Sequence, residues 1–132
     1  MALKPKLGPE GSEYLIPVDD IEKADYWFEE VKVTHELHSG SKKFYHKGYK
    51  FRARLTLNRM PQTTYDNLRA EYNRHTELNF IPNFEDYPST NFQVRWINDF
   101  NFVYCYPYDF TYWRGSIELE GTEILSSVPG WI

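Results

Sequence analysis

Hydrophobic and polar positions alternate most cleanly between Gly48 and Leu57. Phe51, Ala53, Leu55 and Leu57 fall on one side, and Lys50, Arg52, Arg54 and Thr56 on the other. This period of two predicts a half-buried strand. After Pro61 the spacing lengthens. Tyr65, Leu68 and Tyr72 recur at helical intervals and predict one helix over about residues 62–75. Proline suits a first helical position, and Thr63 with Asp66 fits a relaxed capping box. The apolar stripe is narrow. The helix is therefore expected to rest on a sheet surface, with Asp66, Arg69, Glu71, Asn73 and Arg74 in solvent.

The rest of the chain reads as strands. Tyr26–His38 alternates, with Val31, Val33, His35 and Leu37 on one face, and Ser39-Gly40-Ser41 signals a turn. Lys42–Lys47 then reads as a basic, aromatic loop or hairpin tip, leading through Gly48 into an antiparallel partner strand. Leu78–Ile81 is a short strand stopped by Pro82, followed by a loop over 83–91. Phe92, Val94 and Trp96 face inward, and Asn98-Asp99 is a turn signal. Phe100, Phe102, Tyr104 and Tyr106 form an aromatic strand face, and Trp113, Gly115, Ile117 and Leu119 form a last one. Residues 1–25 are punctuated by Pro5, Gly8, Pro9, Gly11 and Pro17. They predict an extended arm tied down by Leu3, Leu7, Tyr14, Leu15 and Ile16, on its own domain or on a neighbouring subunit. The expected organisation is an arm (1–25), a β-domain with one helix (26–124) and a tail (125–132). The fold class is mainly β with one α-helix: an antiparallel β-sandwich or open barrel with a flanking helix.

A chain of 132 residues fits a single domain. Its 11 Tyr, 9 Phe and 4 Trp favour strands and interfaces. Cys105 is alone, so no intrachain disulfide is expected, in keeping with a reducing compartment. Met1–Pro5 lacks the apolar region of a secretory signal, and no apolar run reaches membrane-spanning length. A soluble protein of cytoplasmic origin is expected. The net charge of −4 conceals a partition: residues 1–41 carry 4 basic and 9 acidic side chains, residues 42–59 carry 7 basic and none acidic, and residues 60–132 carry 4 basic and 10 acidic. Such a block is either a nucleic-acid patch or one half of a charge-complementary contact, within the fold or between subunits.

The candidate chemistry is sparse. Lys47-Gly48-Tyr49 and Phe51 match the start of an RNA-recognition signature, but Lys50, Arg52 and Arg54 break it. The block Lys42–Arg59 therefore carries nucleic-acid binding only as a third reading, without sequence specificity. His35 and His38 face opposite sides of a strand, and His46 and His75 lie far from each other in sequence, so no metal site is expected. Cys105 has no nucleophile motif around it, and Asp19-Asp20 and Glu118 with Glu120 read as surface charge. Neither an enzyme nor a cofactor is expected. The aromatics Tyr104, Tyr106, Tyr108, Tyr112 and Trp113, with Tyr26, Trp27 and Phe28, read as core plus interface, or alternatively as the sugar-stacking platform of a carbohydrate-binding module.

The order long hairpin, single helix, returning strands resembles the β-sandwich-plus-helix domain of tailed-bacteriophage tail proteins, the tail tube subunit and the ring-forming distal tail protein. Lys47–Leu57, the helix Thr64–Tyr72 and the return Trp113–Glu123 carry the resemblance, over about Tyr26–Ile124. It implies a non-enzymatic virion subunit, assembled in the host cytoplasm, that forms homo-oligomeric rings with other tail proteins through sheet edges, loops and arms. It covers the tube, the tail end and the baseplate alike. Under that resemblance the candidate interface residues are Lys42, Lys43, Tyr45, Lys47, Lys50, Arg52 and Arg54 against Glu118, Glu120 and Glu123, with Trp131 in the apolar tail.

Overall fold

The computed structural model describes residues 4–36, 42–105 and 111–130. In chain order these form β1 (Lys6–Gly8), β2 (Tyr14–Leu15), a 3-10 turn (Val18–Asp20), β3 (Ile21–Glu36), β4 (Lys42–Met60), α1 (Gln62–Tyr72), β5 (Leu78–Ile81), β6 (Phe92–Trp96), β7 (Val103–Cys105) and β8 (Tyr112–Gly121). Among the described residues the fold is mainly antiparallel β with a single helix. All eight strands share one sheet, ordered β2-β1-β5-β6-β8-β4-β3, with β7 also paired to β8.

The alternation along β4 builds the core. Phe51, Ala53, Leu55 and Leu57 are each at most 2% exposed. Ala53 and Leu55 lie opposite Leu119 and Ile117 of β8, which are also fully buried. The sheet curls so that its β3 edge comes back over β5 and β6. Tyr26 of β3 meets Phe80 of β5 at 5.7 Å, and Phe28 meets Phe92 of β6 at 5.9 Å. Phe51 stands between them, 4.1 Å from Phe92 in an edge-to-face contact. The result is an open barrel. Burial holds the Tyr26 phenol well above its ordinary titration range, and its hydroxyl donates to the Pro82 carbonyl at 3.5 Å.

Helix α1 lies over the other end of the core. Leu68 is fully buried. Tyr65 stacks on Trp113 at 3.6 Å, and Tyr72 meets Trp96 at 5.1 Å and Phe100 at 5.2 Å. The helix is shorter than its sequence pattern suggests. It stops at Tyr72, and the chain turns away through His75 in the left-handed region (φ 52°). The capping box is absent: Pro61 stands at the N-cap without a side-chain cap, and Asp66 accepts instead from Gln62 Nε2 at 3.0 Å. Glu71 is buried rather than solvated, and Arg74 Nε donates to it at 3.0 Å.

Strand boundaries also differ from expectation. β3 begins at Ile21, because Ile21 and Lys23–Asp25 find partners at Leu57 and Arg54–Thr56. Within the N-terminal segment, Lys6–Gly8 inserts between β2 and β5 and buries Leu7 and Ile16 completely. Lys42–Lys47 belongs to β4 and not to a loop: Lys42 lies opposite Glu36 and Tyr45 opposite Val33, with a register shift at Val31/Lys32. Phe100 and Phe102 precede β7 in an irregular segment, yet both rings pack inward beside Tyr65. The expected anchor Leu3, the expected turn at Ser39–Ser41, the strand positions Leu37 and His38, and Tyr106, Tyr108 and Trp131 lie outside the described residues.

Candidate assembly surface

Because β4 alternates, its basic residues Lys50, Arg52 and Arg54 share the face of the sheet opposite the core. The flanking strands set carboxylates beside them. Arg54 sits between Asp25 of β3 and Glu118 of β8, and Arg52 between Trp27 and Glu120. Arg54 Nη2 lies 2.6 Å from Glu118, Arg52 Nη1 2.6 Å from Glu29, and Lys50 Nζ 3.4 Å from Glu120. The last two pairs are diagonal, following the sheet's twist. Arg52 also lies 5.9 Å from the Trp27 ring, which stands partly exposed on this face. Half-exposed pairs of this kind contribute about 0–1 kcal/mol each. They set the charge pattern of the face more than its stability. Five of the sequence-derived candidates, Lys50, Arg52, Arg54, Glu118 and Glu120, are thus brought together within one chain. Glu123 is exposed just past β8. Lys42, Lys43, Tyr45 and Lys47 lie on the first part of β4, and Trp131 lies outside the described residues.

β4 is embedded unequally. From Arg52 to Leu57 it has β3 on one flank and β8 on the other. At Tyr49 the second flank is held by a single bridge to Leu125, with N–H···O distances of 2.8 Å both ways. From Lys42 to Gly48, β3 alone pairs with it among the described residues. Gly48 permits the bridge. Its φ is +145°, and a Cβ there would stand 2.3 Å from the Leu125 carbonyl oxygen and 2.6 Å from Ile124 Cγ2. The segment after β8 is therefore clamped at the base of the β3–β4 ribbon, a role that alternation alone does not reveal.

The flank of β8 away from β4 is completed by side chains. β7 pairs with Tyr112–Arg114 and β6 with Leu119–Gly121. Between them, Asn98 Oδ1 accepts from Glu118 N (3.1 Å) and Asn98 Nδ2 donates to Ser116 O (3.0 Å). Asn101 Oδ1 accepts from Ser116 N at 3.0 Å. These two asparagines and Trp27 bear on the sheet's surfaces, and the spacing of apolar residues carried no signal for the asparagines.

Two carboxyls have shifted titration. Asp20 is 8% exposed; burial raises its pKa, although the Thr64 hydroxyl donating at 2.9 Å opposes this and Asp19 adds to it. For Glu13, burial acts upward, but hydrogen bonds outweigh it. Asn79 Nδ2 donates at 2.9 Å and Gly11 N–H at 3.0 Å, and Lys6 assists, so the carboxyl is lowered. The hydrogen bonds of Glu13 to Asn79 and of Asp20 to Thr64 tie the N-terminal segment to the sheet and the helix. Among the described residues, no three His, Cys, Asp or Glu side chains converge to hold a metal. Among the described residues, no helix is long and apolar enough to cross a membrane.

Trp113 is committed to the fold. One neighbour is the Tyr65 ring at 3.6 Å, another is Tyr104 at 4.8 Å, and its indole N–H donates to Gln62 Oε1 at 3.0 Å. This use fastens α1 to β8 and weighs against a sugar-stacking platform.

No known family model matches the chain, and no curated protein matches it in sequence. Among solved structures it is similar to a chain in the virion of a native gene transfer agent particle, with a TM-score of 0.54 over 93% of this chain and 94% of that one. At 10% identity, the likeness is one of fold across nearly the whole of both chains.

Proposed function

We propose that this chain is a structural, non-enzymatic subunit of a virion, and more specifically a ring-forming component of a phage tail at the tube, the tail end or the baseplate. The observation that carries the reading is the end-to-end likeness of fold to a chain of a virion particle. A match over 93% of this chain and 94% of that one supports the reading more than a shared motif would. The surface agrees with such a role. The long strand β3 has one flank without a partner among the described residues, and the β3–β4 ribbon continues past the end of β8. Open strand edges are a liability for a solitary protein and an asset for a subunit. The candidate interface residues Lys42, Lys43, Tyr45, Lys47, Lys50, Arg52, Arg54, Glu118, Glu120, Glu123 and Trp131 are proposed to act at these contacts. Assembly takes place in the host cytoplasm, and the finished location is the virion.

Mass spectrometry of purified particles, with immunogold electron microscopy against the chain, tests the proposal. Several copies per particle at one defined position are expected. Absence from intact particles, with the protein recovered only as a free monomer, would refute it.

A further inference from the structure

The charge of each strand follows its place in the sheet. β4 carries seven basic residues and no acid. Its neighbour β3 carries five acids against two bases, and β8 two acids against one base. Where β4 is inside the sheet, the basic strand therefore has an acidic-leaning strand on each flank. Over Lys42–Lys47 the β3 flank is filled, and the other flank has no strand among the described residues. That flank is where an acidic strand would complete the pattern seen at Arg52 and Arg54. Among the described residues, the acidic strand with an open edge long enough to cover these six positions is β3 itself, 16 residues long.

We infer that two copies of this chain join head to tail, the basic edge of β4 at Lys42–Lys47 in one copy pairing with the open acidic edge of β3 in the next. The inference rests on the reading of the chain as a self-assembling subunit, and it names the edges and the code. Two different surfaces meet, so the contact is heterologous. Each copy added leaves the same two edges free, which is the condition for a ring or a helical stack. Backbone hydrogen bonds provide the adhesion, as in strand addition, and charge sets which edge meets which. A two-stranded ribbon alone in water is only marginally stable, so the contact also consolidates the ribbon that makes it. Like-edge pairing, β4 to β4 or β3 to β3, sets charges of one sign against each other and is disfavoured.

A charge-exchange experiment on the full-length chain tests this. One variant carries Lys42→Glu, Lys43→Glu and Lys47→Glu; the other carries Asp25→Lys, Glu29→Lys and Glu36→Lys. Assembly is followed by light scattering coupled to size exclusion across a concentration series. Circular dichroism confirms that each variant is folded. The wild-type chain is expected to associate, and more weakly as salt shortens the Debye length toward about 3 Å near 1 M. Each variant alone should associate at least tenfold more weakly. Their 1:1 mixture should recover assembly, because acidic and basic copies then alternate. If either charge-flipped chain fails to fold, Lys42→Gln, Lys43→Gln and Lys47→Gln replace it, with at least a threefold weakening and a shallower salt dependence as the expected result. Wild-type assembly that both folded variants reproduce, or a mixture that does not recover, overturns the edge pairing and leaves the virion reading standing. A wild-type chain that stays monomeric and is missing from particles overturns both.

Discussion

Asn98→Ala tests whether side chains stand in for a missing strand along β8. Between β7 and β6 the edge of β8 is served by Ile97 N–H donating to Glu118 O at 2.9 Å, by both ends of the Asn98 amide and by Asn101. Alanine at 98 deletes two of these hydrogen bonds, to Glu118 N and Ser116 O, and leaves their backbone partners unmatched. A net intramolecular hydrogen bond contributes about 1 kcal/mol, and a group stranded in a fully dry site loses about 1–3 kcal/mol. Both contacts are part-buried, so water reaches the orphaned groups and the lower end applies. The expected loss is about 2 kcal/mol, a fall of roughly 8 °C in melting temperature for a chain of this size. Urea denaturation should show a lower midpoint at unchanged slope. Hydrogen exchange should show the Glu118 amide losing more protection than amides of β4. Asn98→Asp serves as a second probe: it keeps the acceptor for Glu118 N–H and sets a carboxylate against the Ser116 carbonyl. A loss below about 0.5 kcal/mol with Glu118 protection intact would refute the idea that Asn98 completes the ladder.

Phe51→Ala should remove about 3–5 kcal/mol, because the ring is 2% exposed and touches Tyr26, Phe28, Phe80 and Phe92; a thermal melt within a few degrees of wild type would contradict the open-barrel core. Gly48→Ala should release the segment at Leu125, where the added Cβ would lie 2.3 Å from the Leu125 carbonyl. The expected signature is rapid exchange of the Tyr49 and Leu125 amides while β8 stays protected, and unchanged exchange at Leu125 would dispose of the clamp. Asp20→Asn should change the pH profile. A raised folded pKa means that ionisation in the folded state is the unfavourable step. The wild type therefore loses stability as pH rises from the ordinary Asp value of about 3.9 through the raised one. The Asn variant should lack that decline and be at least as stable near neutrality, as read from denaturation midpoints over about pH 3–8. Glu13 has the opposite sign and loses its contribution as pH falls through its lowered pKa, so the difference between wild type and variant isolates Asp20. A parallel pair of profiles would show that the Asp20 carboxyl is not destabilised by its burial.

The parts of this fold that could be read from the sequence are those whose signal is local. Phe51, Ala53, Leu55 and Leu57 alternate because one face of β4 is dry and the other is wet, and the same holds for Ile117 and Leu119. Leu68 with Tyr65 and Tyr72 marks the helix for a similar reason. What was not readable depends on partners far away in the chain. Lys6–Gly8 becomes a strand because β5, more than 70 residues on, offers an edge in register, and no pattern within Leu3–Pro9 encodes that. Lys42–Lys47 looks like a loop because lysine and histidine are poor strand formers; its extended state is imposed by pairing along β3. The reverse happens at Phe100 and Phe102. Their period of two suggests a strand, but Asn98 and Asn101 bind the ladder of β8 first, and the rings reach the same core from an irregular backbone.

The candidate surface was half readable for a related reason. Charge is additive along a chain, so the basic block between two acidic segments can be seen by counting. Which acids it meets is a matter of topology. The structure answers for Lys50, Arg52 and Arg54, whose carboxylate neighbours lie on β3 and β8 of the same chain. Those charges are therefore weak candidates for binding a polyanion, since each would have to exchange a partner already in place for a phosphate. The basic residues nearest the start of β4 stand differently. Among the described residues their part of the strand has one acidic neighbour where Arg54 has two, and the proposed edge pairing rests on that asymmetry. The sequence feature that first suggested nucleic acid thus divides into two parts, one engaged inside the fold and one on a stretch of β4 that β3 alone flanks among the described residues.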